Sequence, residues 1–412
     1  MDVKGKLNFT DLISPSSNFC GATYMIYLDN AATTKPKQEV IDAMMPYFTD
    51  KWYNPSSLYS KASQIKQDIQ SAKKTIADYI NAHEDEIYFT SSGSEANCLA
   101  IKGFIDYWKK HKERVFLITT SIEHESILEC VQKSNVNYYI MDVNSRGFVK
   151  EEALIDLLTF ANKNKYKTLV SIQYVNNEIG TIQQIKKLAN IVHKYGAILH
   201  TDAVQAFGKI ETNVDFSGID LMSVSGHKIG CPKGIGFLYV SSGVNIEPLI
   251  YGTQENGMRG GTENVPYIMG FKKAVQMLST KFEHPLHQAI EFYIAKQKLI
   301  TELKNKYNCK FNGAVFVTNK IENIISVTFP DIATESLIYL LDIEGVAISA
   351  GSACNSYSNK PSHVLKAIGL SDGECMRTIR LSLSYDFNMQ QADEFLVALD
   401  KVVKIIKIDT KL

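Results

Sequence analysis

Lys228 closes the stretch Ser225-Gly-His-Lys228 at the end of an apolar run, Asp220-Leu-Met-Ser-Val-Ser225, twenty-six residues after Asp202 in His200-Thr-Asp-Ala-Val-Gln205. An amine and a carboxylate at the ends of two such runs suit one kind of chemistry. The amine holds an aldehyde as a Schiff base, and the carboxylate keeps a pyridine nitrogen protonated so that the ring can accept the electrons of a substrate carbanion. That describes a pyridoxal phosphate (PLP) site with Lys228 and Asp202 in the two roles. Taken singly, a strand-end aspartate or a loop lysine is more often a solvated surface residue, so the neighbouring motifs decide.

Thr90-Ser-Ser-Gly-Ser-Glu-Ala-Asn97 runs from an apolar segment into a helical one. Its small residues let backbone N–H groups and hydroxyls close on an anion such as a phosphate, although an ordinary serine N-cap has the same look. Ser225 and His227 flank the lysine and can add phosphate contacts. His124, in Ser121-Ile-Glu-His124-Glu-Ser, is placed to stack on a cofactor ring and to move protons near neutral pH; the competing role is a surface helix cap. Asn177, in Val175-Asn-Asn-Glu-Ile-Gly180, and Gln205 set amides at strand ends, where they can bond a cofactor's phenolic oxygen and a substrate carboxylate or simply shape turns. Arg380, in Thr378-Ile-Arg-Leu-Ser382, can pair bidentately with a carboxylate or form a salt bridge. Cys354 lies in Ser349-Ala-Gly-Ser-Ala-Cys-Asn-Ser-Tyr-Ser-Asn-Lys-Pro-Ser362, so dense in small polar residues that it reads as a mobile loop able to carry a thiolate to a site and then to a partner. An inert surface thiol is the alternative.

The elements that must position these residues alternate. Helical periodicity near 38–49 and 57–81, strand patterns at 86–90, 115–119, 168–172, 197–200, 221–224 and 235–240, and helices from Ser94 and near 124–133 give βαβ units and a mostly parallel sheet. Ligands of such sheets gather at the carboxyl ends of the strands. After a glycine-rich loop at 257–261 the texture shifts to long helices near 263–280 and 285–306. Strands at 324–329, 346–349 and 377–382 and helices near 334–344, 362–369 and 389–407 complete a smaller α/β unit. The expected organisation is an N-terminal extension (1–24), a large domain (38–281) and a small domain built from 25–37 and 282–412.

The 412 residues are too many for one ordinary core. Forty-four basic residues balance forty-four acidic ones, so no net field recruits nucleic acid or an anionic membrane. No apolar run approaches the roughly 20 residues of a membrane span and the start lacks a signal-peptide stretch, which predicts a cytoplasmic protein. Cys20, Cys98, Cys130, Cys231, Cys309, Cys354 and Cys375 show no CxxC or Cys/His spacing, so neither a disulfide framework nor a zinc site is expected.

Together these motifs resemble the cysteine desulfurases, the NifS/IscS-like branch of the class V aminotransferase superfamily. The likeness runs from Tyr27-Leu-Asp-Asn-Ala-Ala-Thr-Thr34 through Asn54-Pro-Ser, Val175–Gly180, Ser225–Lys228, Gly257-Met-Arg-Gly-Gly-Thr262 and Gly351-Ser-Ala-Cys354 to Arg380-Leu-Ser. It implies a PLP-dependent, fold type I large domain with a smaller α/β C-terminal domain. It also implies conversion of L-cysteine to L-alanine with a persulfide left on Cys354 for transfer to an acceptor. By the same resemblance Lys228 is the Schiff-base lysine, Asp202 partners the pyridine nitrogen, His124 stacks on the ring and Gln205 serves the phenolic oxygen. Gly93, Ser94, Ser225, His227 and Thr262 hold the phosphate, with Thr262 reaching the other subunit of a homodimer. Asn177 and Arg380 receive the substrate carboxylate. Cys354 belongs to the long-loop group I form and can contact an iron–sulfur cluster transiently; no resident metal is implied. The acceptor or scaffold protein stays unidentified, so iron–sulfur assembly, tRNA thiolation and other pathways remain open. A selenocysteine lyase, another aminotransferase or PLP lyase, and a non-catalytic sulfur-relay subunit are the alternatives. Three departures stand out: Ser-Ser-Gly-Ser-Glu in place of the frequent Gly-Ala-Thr-Glu, Ser384-Tyr385 after the final strand motif, and a tail without a longer docking extension.

Overall fold

The structure is a computed structural model that describes residues 25–279, 286–315, 317–351 and 360–409. The first strand, β1 (Ile26–Tyr27), does not join the main sheet. That sheet contains β2 (Ile87–Thr90), β3 (Val115–Thr120), β4 (Asn137–Met141), β5 (Lys167–Ser171), β6 (Ile198–Asp202), β7 (Leu221–Ser225) and β8 (Gly236–Val240), in the order β2-β8-β7-β6-β5-β3-β4. Strands β4, β3, β5, β6 and β7 run parallel, while β8 lies antiparallel to both β7 and β2. The fold is thus the expected α/β fold with a mostly parallel sheet.

Period-2 alternation explains how this sheet is buried on both sides. In β3, Val115 and Leu117 pack under the helices Gly93–Lys110 and Glu125–Gln132, whereas Phe116 and Ile118 join the opposite core with residues of the helices Ser60–Ile80, Glu151–Lys163 and Ile185–Lys194. Each fully buried Leu or Phe contributes about 1.5–3 kcal/mol. Strand β4 escapes the sequence pattern because Asn137, Tyr138 and Tyr139 are exposed on the sheet edge and show no apolar alternation.

The remaining strands are β9 (Lys310–Phe311), β10 (Ile324–Thr328), β11 (Val346–Ala347), β12 (Ser349–Ala350) and β13 (Thr378–Ser382). They form an antiparallel sheet ordered β12-β13-β10-β9 and a β1-β11 pair. Ile26 and Leu28 are buried in the C-terminal core with residues of the helices Leu286–Tyr307 and Met389–Asp409. The chain therefore crosses from this core at residue 28 to the carboxyl edge of the main sheet by residue 34, where the Thr34 N–H donates to His227 O at 2.9 Å.

Candidate active site

A cavity of about 290 Å³ opens at the carboxyl ends of β3, β5, β6 and β7. It is lined by Gly93, Ser94, His124, Asn177, Asp202, Gln205, Ser225, His227, Lys228 and Arg380, every described candidate except Thr262. Thr262 is exposed after Gly261 and does not line the cavity within the single chain. Its loop is nonetheless anchored near the cavity, because Arg259 Nε donates to Glu95 Oε1 at 2.9 Å in the helix Gly93–Lys110. Cys354 lies outside the described residues.

Lys228 ends the short turn that follows β7, and its Nζ donates to the carbonyls of Ala31 and Ala32, both at 2.6 Å. Gln205 Nε2 also donates to Ala31 O at 2.8 Å, and Lys209 Nζ donates to Gln205 Oε1 at 2.6 Å. The amide expected to serve a phenolic oxygen thus has its oxygen and one of its two Nε2 hydrogens engaged among the described residues.

Asp202 is the last residue of β6 and is buried. Its Oδ1 accepts from the Val204 N–H and its Oδ2 from Asn97 Nδ2, each at 2.9 Å. Asn97 Nδ2 also donates to Ser126 Oγ at 3.0 Å, and Ser126 Oγ lies 2.8 Å from His124 Nδ1. His124 caps the helix Glu125–Gln132, its Nδ1 accepting from the Ser126 N–H at 3.1 Å. With Nδ1 used as an acceptor, the ring proton belongs on Nε2.

The anion end of the cavity is built from a helix start. Ser92 caps the helix Gly93–Lys110, its Oγ accepting from the Glu95 N–H at 3.1 Å, and the first N–H groups of any helix lack intrahelical acceptors. A Cβ on Gly93 would lie 2.7 Å from Val204 Cγ2 and 3.2 Å from Ser225 Cβ, so only glycine lets the helix start close on β7. His227 Nδ1 lies 3.1 Å from Thr33 Oγ1. Burial, assisted by the charges of Lys228, Lys233 and Lys209, lowers its imidazole to about 4. His227 is therefore neutral at physiological pH, and an entering dianion raises its proton affinity. This donor set, with one buried carboxylate and one ammonium facing the same cavity, fits PLP.

Arg380, on β13, is only 1% exposed. Its Nη2 donates to Asp29 Oδ1 at 2.7 Å and its Nη1 to the carbonyls of Asn177 at 3.1 Å and Gly351 at 3.3 Å, while Nε is buried without a partner among the described residues. Asn177 Oδ1 accepts from Gln173 Nε2 at 3.2 Å. Asn176 shapes the turn beneath it, its Oδ1 accepting from the N–H groups of Glu178 at 2.9 Å and Ile179 at 3.0 Å.

Sequence reasoning assigned no role to Asn97, Ser126, Asp29, Glu123 or Glu178. Glu123 Oε1 accepts from Thr120 Oγ1 at 2.5 Å and the Gln173 N–H at 3.1 Å, whereas its Oε2 is buried without a partner among the described residues. Burial pushes this carboxyl up to about 8. Glu178 is also buried and shifted upward by burial, and its Oε2 accepts from Ser362 Oγ at 2.6 Å. Glu123 and Glu178 stand within quoted motifs, but only their desolvation singles them out, and a sequence does not display that.

The chain as a whole is similar to known proteins. The family model described as aminotransferase class-V matches residues 26–395. A cysteine desulfurase IscS of Methanosarcina thermophila is 38% identical over 386 residues, spanning 93% of this chain and 93% of its own length. Among solved structures, a NifS-like protein is similar with a TM-score of 0.83 at 31% identity, covering 93% of this chain and 100% of that one. SspA, solved in complex with cysteine, gives a TM-score of 0.74 at 35% identity over 87% of this chain and 98% of its own.

Proposed function

The chain belongs to the aminotransferase class-V family, and from that premise we propose that it is a PLP-dependent cysteine desulfurase, which converts L-cysteine to L-alanine and hands the sulfur on as a persulfide of Cys354. PLP supplies, when bound, an electrophilic aldehyde and a ring that stores the electron pair left at the substrate's α-carbon. Gly93, Ser94, Ser225 and His227 would hold its phosphate, and Asp202 would keep a proton on the pyridine nitrogen. Lys228 would supply the amine that retains the cofactor and, as a free amine, the base that takes the substrate's α-proton. The carbonyls of Ala31 and Ala32 fix that amine in the cleft beforehand. Arg380 and Asn177 orient the substrate carboxylate, and His124 carries a proton at Nε2. The Cys354 thiolate then bonds to the substrate sulfur as the carbon–sulfur bond breaks, and the remaining amino acid leaves as alanine.

One observation carries the assignment of Cys354. The described residues that flank it are bonded to side chains lining the cavity: Ser362 Oγ donates to Glu178 Oε2, and the Gly351 carbonyl accepts from Arg380 Nη1 at 3.3 Å. Sulfur transfer to a protein acceptor and homodimerisation, with Thr262 serving the neighbouring subunit, complete the proposal. No helix of the described residues is long and apolar enough to cross a membrane.

The test is Cys354→Ala. The variant should retain PLP and bind L-cysteine, yet show no added sulfur by mass spectrometry and lose several orders of magnitude in alanine formation. Near-normal alanine and sulfide production, or a persulfide mapped to another cysteine, would overturn the mechanism.

A further inference from the structure

Away from the cavity, Cys98 on the helix Gly93–Lys110 meets Cys130 on the helix Glu125–Gln132, with their sulfurs 2.8 Å apart. Unbonded sulfurs do not ordinarily pack so closely, and a disulfide bond of about 2.0 Å requires them to approach by less than an ångström more. Cys130 is buried with Ile127 and Val131, whereas Cys98 is half-buried. The two thiols differ in acidity. The hydrogen bond between the two thiols lowers that of Cys98 to about 7, with help from Lys102 one turn along the helix, and raises that of Cys130. Among the described cysteines, Cys231, Cys309 and Cys375 are instead buried, and burial pushes their thiols upward.

We propose that Cys98 and Cys130 are a peroxide-sensitive dithiol that closes to an intrachain disulfide between the two helices whose first turns carry Gly93 and His124. The Cys98 thiolate attacks one oxygen of a hydroperoxide, breaking the O–O bond, and becomes a sulfenic acid; with hydrogen peroxide the other oxygen leaves as water after protonation. The Cys130 sulfur then attacks Cys98 Sγ, forming the S–S bond and expelling the sulfenic oxygen as a second water. Two thiols lose two electrons and two protons, and one peroxide is reduced to two waters. The new bond lies beside an existing tie between the same helices, because Asn97 precedes Cys98, Ser126 stands one turn before Cys130, and Asn97 Nδ2 donates to Ser126 Oγ at 3.0 Å. Closure therefore follows the native packing and needs no unfolding.

The cofactor-loaded protein is treated with stoichiometric hydrogen peroxide, the remaining thiols are blocked, and non-reduced peptides are mapped. The expected result is one linked peptide pair containing Cys98 and Cys130, lighter by two hydrogens, reversed by dithiothreitol and absent from Cys98→Ser and Cys130→Ser. A melting curve of the untreated variants checks that they fold; if Cys130→Ser does not, the wild-type map and Cys98→Ser still decide. A sulfinic acid on Cys98 beside a free Cys130 thiol, a Cys98–Cys354 link, or both thiols left reduced while other cysteines oxidise would each overturn the proposal.

Discussion

At the end of β6 both carboxylate oxygens of Asp202 accept hydrogen bonds from fixed donors, Asn97 Nδ2 and the Val204 N–H. Beyond β3, on another wall of the same cavity, Glu123 buries one oxygen with no partner, and its carboxyl is pushed up to about 8. Glu178 beside it is shifted in the same direction by burial. One corner thus gives a carboxylate a donor on each oxygen, and in the other burial disfavours the charged form of both acids. The two corners differ in how donors are distributed: each Asp202 oxygen accepts one bond, whereas both donors to Glu123 fall on Oε1 and burial acts on a carboxyl whose Oε2 has no partner among the described residues. The electrostatic role proposed for Asp202 rests on this difference, while Glu123 bonds the Gln173 N–H and Glu178 bonds Ser362.

Four experiments can break or sharpen this contrast. The largest effect belongs to the Asp202 corner: Lys228→Ala should remove the visible absorbance of lysine-held cofactor and lower alanine formation by several orders of magnitude. A variant that keeps the wild-type spectrum would end the assignment of Lys228. Asp202→Asn keeps an acceptor for Asn97 but loses the charge, and turnover should fall on the order of 10²–10³-fold with the protein still folded; a loss of under threefold would erase the distinction between the corners.

Glu123→Gln should act on stability instead. The Glu123 carboxyl has an ordinary value of 4.5 and a folded value of about 8, so the folded protein keeps a proton that the unfolded chain releases. Stability conferred by that proton is complete below about pH 4.5 and declines as pH rises through about 8. The glutamine variant lacks the decline, giving a difference on the order of 3 kcal/mol by pH 7, read from urea midpoints at several pH values. Parallel curves for the two proteins would show that Glu123 is not held protonated. The smallest effect asks whether the phosphate end is complete in one chain. Thr262→Ala removes one hydrogen bond and should weaken cofactor retention by about two- to tenfold in a homodimer. A monomer with full, unaltered retention would place the whole cradle within a single subunit.

The amino-acid sequence by itself determined the α/β class, the positions of most strands along the chain, and the motifs that the fold brings to one cavity, because period-2 and helical patterns are local and because parallel strands deliver their carboxyl ends to a single edge. Strand β4 was not legible, since its residues face solvent at the edge. Nor was the antiparallel placement of β8, which depends on pairing between segments rather than on the pattern within one. Tertiary structure alone decided that Asp29 pairs with Arg380, that Asn97 links Asp202 to Ser126, that Cys98 meets Cys130, and that Glu123 rather than Asp202 retains an unpartnered oxygen. Each of these depends on which distant groups come within a few ångströms and how much water is removed around them. A carboxylate written as one letter has no proton affinity of its own until the fold sets its donors and its burial.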